Sequence, residues 1–298
     1  MNAVFIYNPE SGQSKISKNI NKIKKTLQIK FGDVEFIETT HSGHAKEIAE
    51  MLGETLDYLF VAGGDGTIHE IINGIAELKK RPIIGYIPTG TVNDFARSLS
   101  ISRNLDKALN TIVNGKPTEI DIMKFNDSYS VYVYGTGIFT KTSYSTKRTK
   151  KRIFGKLAYV FSGLKEIFHS YPIKATLKTN GCEITETCSL VLVINSRSVG
   201  GFKFNKHAKL DDGKADIVMF KCFKNRVGLF SLLRIAWVIL FGLNVTKNNK
   251  HYVFINTSSG IITLDKISPA TLDGEPADKD YFEFNVIQKH IKILTLEK

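Results

Sequence analysis

The sequence predicts an α/β N-terminal domain, a parallel sheet with helices on both faces, followed by a β-rich sandwich domain. Three observations carry this. Up to about residue 90, short fully apolar runs alternate with amphipathic ones, the pattern of a parallel sheet covered on both sides. Three of those apolar runs end in loops of glycine and small polar residues. From about Phe125 the helical pattern gives way to short strand-like runs between Gly, Asn and Asp turns. A chain of 298 residues is also long for one core, and two domains are expected, 1–124 and 125–287, with 288–298 packing back onto the first.

Taken in order, strands are expected at Ala3–Tyr7, Val34–Glu38, 58–62 and 83–87, and helices at 13–30, 43–52 and 67–78. The second half reads as strands at 129–134, Ile173–Thr179, 190–194, 217–220 and 252–256. Helical insertions are expected near 155–170 and 226–243. In an open α/β sheet, ligands bind at the loops following the carboxyl ends of the strands. The loops at issue are Asn8-Pro9-Glu10-Ser11-Gly12, Ala62-Gly63-Gly64-Asp65-Gly66 and Pro88-Thr89-Gly90-Thr91.

Composition narrows the class. Hydrophobic residues are 42% of the chain, enough for real cores. Cys182, Cys188 and Cys222 form no Cys-x-x-Cys pair and no zinc pattern with histidine, which fits a reducing compartment and a cytoplasmic protein. The first seven residues read as a buried strand, not a leader. The one apolar stretch near the length of a membrane span, 227–245, carries Arg234 near its middle. A charge there costs about 2.5–3.5 kcal/mol at a bilayer centre, so a buried or membrane-surface helix is expected. The net charge of +12 predicts an anionic partner: nucleotide, nucleic acid or acidic lipid. No nucleic-acid module signature is present.

The decapeptide from Val61 to Glu70 is the most informative segment. An apolar strand runs into three glycines and a helix expected to begin near Thr67. Glycine leaves backbone amides open to a phosphate, and a helix N-terminus adds unsatisfied N–H groups and partial positive charge. The segment is neither a Walker loop nor a dinucleotide fingerprint. Asp65 stands among glycines where phosphates approach, an arrangement that makes chemical sense with a cation between them, usually magnesium. A plain Gly-Asp-Gly turn is the alternative, weakened by the two companion loops and by Asp94 in the third.

These residues resemble the diacylglycerol kinase catalytic domain superfamily, with the nearest likeness to bacterial soluble lipid kinases and a further one to sphingosine kinases. The resemblance rests on Gly63–Thr67 with Glu70 and Asn73-Gly74, on 88–96, and on Asn8-Pro9. Gly135-Thr136-Gly137-Ile138-Phe139, 155–160, 209–213 and Leu272-Asp273-Gly274-Glu275 continue it in family order. It implies an NAD kinase- or phosphofructokinase-like first domain that binds nucleotide and a second that takes the lipid. It further implies ATP contacts at Asn8, Pro9, Glu10, Ser11, Gly12, Thr40, Gly64, Asp65, Gly66, Thr67, Ile68, His69, Glu70 and Thr91. Asp65, Asp94 and Asp121 would surround the nucleotide's Mg2+. A structural magnesium would be held by the Asp212 carboxylate and the main-chain carbonyls of Lys209 and Lys214. Lys214 departs from the apolar residue common at that position.

Glu275 matches the family's general base, and phosphoryl transfer to a lipid hydroxyl calls for a proton acceptor. Asp273-Gly274 is also a strong hairpin signal, so Glu275 could simply follow a turn. His69 is expected to make a supporting polar contact. The expected activity is ATP- and Mg-dependent phosphorylation of a diacylglycerol-like lipid, within phospholipid metabolism. The basic run at 147–152 and the apolar patterns after it suggest peripheral docking on an anionic membrane, each basic residue adding ~1 kcal/mol. A second copy of the chain is carried as a further partner. The competing readings are a soluble-substrate kinase of the NAD kinase type and a non-catalytic lipid-binding protein.

Overall fold

The computed structural model describes residues 1–9, 15–138, 172–203, 205–222, 229–243 and 249–296. They fall into two compact units, Met1–Ile122 with Lys289–Lys298, and Met123–Gln288.

The first unit alternates strand and helix: β1 (Ala3–Tyr7), α1 (Lys15–Phe31), β2 (Val34–Glu38), α2 (His44–Leu52), β3 (Tyr58–Gly63), α3 (Asp65–Ile75) and β4 (Ile83–Pro88). Two further helices, α4 (Asp94–Ser98) and α5 (Leu105–Asn114), precede β5 (Lys116–Phe125), which leads into the second unit. β2, β1, β3 and β4 lie side by side, all parallel. The end of the last strand joins them, pairing Lys292 with Ile83 and Ile293 with Ile84 in parallel. The apolar residues of β1 and β3 are buried on both faces, which is why those runs do not alternate.

Helix α3 buries Ile68, Ile71, Ile72 and Ile75 at helical spacing and packs on α2. Gly74 permits that approach, because a Cβ there would lie 2.6 Å from the Lys46 carbonyl oxygen and 2.8 Å from Ala49 Cβ. Glu70 Oε2 also accepts the Ala45 N–H at 3.2 Å, tying the start of α2 to the helix that follows the glycine loop. Helix α5 carries a side-chain N-cap, Asn104 accepting from Lys107 N–H at 3.1 Å.

The second unit is antiparallel. Its strands are β6 (Ser128–Ser130), β7 (Val133–Gly137), β8 (Ile173–Thr179), β9 (Cys182–Ile194), β10 (Ala215–Lys221), β11 (Tyr252–Thr257), β12 (Ser259–Ser268), β13 (Ala270–Leu272), β14 (Glu275–Pro276) and β15 (Lys279–Thr295). Its one described helix is α6 (Leu229–Phe241). The order β14-β13-β7-β9-β8-β12-β15 runs across it, with β10 pairing β9 and β11. Its core gathers Phe125, Tyr134, Val191, Val193, Ile217, Phe282 and Phe284 among others.

The fold class is the expected one: parallel strands flanked by helices, then a strand-rich antiparallel region. Several boundaries differ. The helix expected at 67–78 begins two residues earlier, at Asp65, and ends at Ile75. The strand expected at 129–134 is two strands, β6 and β7. The helix expected at 155–170, the basic run at 147–152, and Glu10, Ser11 and Gly12 lie outside the described residues. Among the described residues, no helix is long and apolar enough to cross a membrane.

Candidate active site

The glycine loop turns β3 directly into α3. Gly63 is the last strand residue, Gly64 the N-cap and Asp65 the first helical residue. Asp65 is thus a first-turn carboxylate, a position the helix dipole favours. A Cβ on Gly63 would fall 2.4 Å from the Thr67 side chain, so this position has no room for one.

The loop after β4 lies directly against it. Thr89 N–H donates to the Gly63 carbonyl at 2.9 Å, and the buried Tyr86 hydroxyl donates to the same oxygen at 3.1 Å. Burial foremost, then the charge of Asp65, hold the Tyr86 phenol well above its ordinary pKa, so it stays a protonated donor. Gly64 and Gly90 pass at close range: a Cβ on Gly90 would sit 2.7 Å from Gly64 Cα and 2.7 Å from Asn93 Oδ1. Asp65 Oδ1 accepts from Phe95 N–H at 3.3 Å, which ties the first helical turn after one loop to the helix after the other.

Asn93 makes the second loop possible. Its φ of 55° is left-handed, a conformation asparagine tolerates better than most residues, and its Nδ2 donates to the Gly90 carbonyl at 2.6 Å. Asn93 is fully buried, and its Oδ1 has no hydrogen-bond partner among the described residues. Arg97 Nε donates to the Val92 carbonyl at 2.8 Å and Arg103 Nη2 to the Gly90 carbonyl at 3.0 Å. None of Asn93, Arg97, Arg103 and Tyr86 was singled out from the sequence.

The other expected residues of this unit fall as follows. Asp94 opens α4 and is buried, and Thr91 is exposed in the loop before it. Asp121, wholly buried on β5, accepts from Lys289 N–H at 2.7 Å. Asn8 N–H donates to the Ala62 carbonyl at 3.3 Å, placing the Asn8-Pro9 segment beside the start of the glycine loop. Thr40 is exposed, and His44 Nδ1 accepts its N–H at 3.1 Å. His41 stacks on His44 at 4.8 Å between ring centroids. Ile68 belongs to the core, and its N–H already donates to the Gly64 carbonyl at 3.2 Å. His69 Nε2 lies 3.3 Å from Asn73 Nδ2.

In the second unit, Asp273 and Gly274 form the two-residue turn between β13 and β14, with φ of 52° and 97°. Two consecutive positive φ values are the signature of a hairpin turn of the I′ kind. Glu275 is the first residue after it, paired with Leu272 and exposed. Asp273, only 2% exposed, has more than a turn role. Its carboxylate accepts from Val131, Tyr132 and Val133 N–H at 2.8, 3.1 and 3.0 Å and from Ser130 Oγ at 2.8 Å. The Tyr132 hydroxyl donates to its main-chain carbonyl at 2.8 Å. The segment from Ser130 to Val133 thus fixes the hairpin that presents Glu275.

Asp212 Oδ1 accepts from Lys214 N–H at 3.1 Å, closing a turn whose Gly213 has φ of 72°. Gln288 Nε2 donates to the Asp211 carbonyl at 3.0 Å and holds this turn. Among the described residues, no group of three or more His, Cys, Asp or Glu side chains is placed to hold a metal unaided.

Residues 2–125 match the family model for the diacylglycerol kinase catalytic domain. A diacylglycerol kinase from Bacillus subtilis (strain 168) is 32% identical over 98% of this chain and 95% of its own length. A diacylglycerol kinase from Staphylococcus carnosus (strain TM300) is 30% identical over 98% and 94%. The crystal structure of a diacylglycerol kinase from Bacillus anthracis str. Sterne superposes with a TM-score of 0.78 at 24% identity, covering 99% of this chain and 96% of that one. Another structure from the same organism superposes with a TM-score of 0.86 at 26% identity, again over 99% and 96%. An α/β unit with a glycine-rich loop, continued into an antiparallel unit, is the architecture of these lipid kinases. The chain belongs to the diacylglycerol kinase family.

Proposed function

We propose that the protein transfers the terminal phosphate of ATP, with Mg2+, to the hydroxyl of a diacylglycerol-like lipid. The observation that carries this reading is the approach of two loops, Gly64 against Gly90, with Asp65 joined to the Phe95 amide. Glycines on both loops let the two backbones abut, which sets the second loop beside the N–H groups that open α3, a place suited to phosphate. On this reading Asn8 to Gly12, Thr40, Gly64 to Glu70 and Thr91 line the nucleotide. Ile68 would contribute position only, since its side chain and amide are already engaged.

The donor chemistry suits magnesium carried in by the nucleotide. Asp65, Asp94 and Asp121 would offer hard carboxylate oxygens, and since no protein-only cage exists among the described residues, phosphate oxygens and water would complete the shell. When bound, the ion would neutralise charge on the transferring phosphate. The remaining tasks belong to side chains and backbone of this chain. Amides at the start of α3 would orient the phosphates, and the Glu275 carboxylate would take the proton from the lipid hydroxyl as the new P–O bond forms. For the second unit we propose Asp212, with the carbonyls of Lys209 and Lys214, as a structural magnesium site. One carboxylate and two carbonyls suit an ion that keeps several waters.

The first unit would serve as the nucleotide domain and the second as the lipid domain, with the protein working in the cytoplasm at an anionic membrane surface. Incubation with labelled ATP, magnesium, NAD and a total lipid extract is expected to give a phosphorylated lipid resolved by chromatography. Label appearing on NAD instead, with none on lipid, would favour the soluble-substrate reading.

A further inference from the structure

Helix α6 is apolar at every position except Ser231 and Arg234, a composition that calls for burial on most of its circumference. It does not receive it. Ser231, Ile235 and Val238 are buried on one face, whereas Leu233, Trp237 and Phe241 are 56%, 61% and 64% exposed. These three recur every fourth residue and form one outward stripe, with the Trp237 and Phe241 rings 4.1 Å apart between centroids. No other exposed large hydrophobics of the described residues recur at helical spacing on one helix.

The sequence on either side of the stripe has one sign of charge. Between Asp216 and Asp265 the sequence contains no acidic residue, while Lys221, Lys224, Arg226, Arg234, Lys247 and Lys250 supply six cations. Lys221 is paired with Glu186 at 2.6 Å. Arg234 and Lys250 are close enough together to act on one ring: partial burial first, then their two charges, lower the His251 pKa.

We propose that α6 is a membrane anchor whose Leu233–Trp237–Phe241 stripe enters the headgroup–acyl boundary of an anionic bilayer, with Arg234 and Lys250 meeting the phosphates. This rests on the reading of the protein as a lipid kinase, which must reach a substrate held in a bilayer. Aromatic residues with a basic rim are the usual equipment of a helix lying in that boundary. A second copy of the chain fits less well. The three side chains expose on the order of 350 Å², against the roughly 800 Å² per partner of a stable interface. Two-fold pairing of the patch would also set this basic segment against itself.

The chain carries its own reporter, since Trp237 is its only tryptophan. Vesicles of phosphatidylglycerol and phosphatidylcholine with brominated acyl chains are expected to shift Trp237 emission to the blue and quench it. Pure phosphatidylcholine vesicles should do so far less. The Leu233→Ser, Phe241→Ser double variant keeps the reporter and is expected to bind anionic vesicles at least tenfold more weakly in sedimentation, with an unchanged far-ultraviolet circular dichroism spectrum. Should the variant unfold, quenching in the wild-type protein decides alone. Vesicles that sediment the protein without quenching Trp237 would overturn the assignment. So would a blue shift that follows protein concentration in the absence of lipid, which would mark a second copy. Turnover of a water-soluble short-chain diacylglycerol separates the two claims. Transfer to it without quenching removes only the anchor; no transfer to any lipid removes the kinase reading and leaves the quenching result standing.

Discussion

Replacing Glu275 by Gln is expected to lower the rate of phosphate transfer roughly 10²–10⁴-fold, the usual contribution of a positioned general base, while nucleotide affinity stays the same. Glutamine keeps the size of the side chain and its place after the β13–β14 turn but removes the carboxylate that would accept the hydroxyl proton. The exposed side chain has no core role to lose, so the variant should fold as the wild type does. Steady-state rates and calorimetric nucleotide titration of the same preparation check both halves. An equal fall in rate and in nucleotide affinity would assign Glu275 to binding, and an undiminished rate would remove it from the reaction.

Replacing Asp273 by Ala is expected to cost about 3 kcal/mol or more in stability, because four donors lose their acceptor in a dry site. For a unit of this size that is a fall in melting temperature of roughly 6–12 °C. The Gly274 φ of 97° and the Leu272–Glu275 pairing depend on the same turn, so transfer activity should fall with it even at temperatures where the variant is folded. Asn in place of Asp should recover part of the loss, since one oxygen remains to accept while the new NH2 faces an amide that cannot receive it. Calorimetric melting of the three proteins tests this. A loss under about 1 kcal/mol for Asp273→Ala would mean the four bonds do not hold the hairpin.

What the sequence revealed and what it hid divide by range along the chain. The fully apolar β1, the edge strand β2 and the alternating β8 were legible to the residue, because period and turn residues are local signals. The start of α3 was misplaced by two residues because Gly66 reads as loop. A glycine in the first turn is cheap when Asp65 sits at the positive end of the helix dipole. Helix α5 announced itself through the Asn104 cap and went unread. The bonds that shape the two candidate loops were not readable at all. Tyr86 reaches Gly63 from 23 residues away, Phe95 reaches Asp65 from 30, and Asp273 gathers donors from 140 to 143 residues earlier. Asp273 looked like a turn residue because its hairpin function is local and its anchoring function is not. Asn93 carried a usable hint, an asparagine before an acidic helix start, which suits both left-handed backbone and capping.

The central claim is that glycine backbones of two abutting loops, with Asp65 beside them, receive a magnesium-bound triphosphate. Calorimetric titration of ATP into the protein, with and without magnesium and alongside Gly90→Ala, tests it most directly. Binding is expected with magnesium, to weaken sharply on chelation, and to be lost in Gly90→Ala, whose new Cβ would lie 2.7 Å from Gly64 Cα. Magnesium-independent affinity, or a Gly90→Ala protein that binds ATP like the wild type, would contradict it.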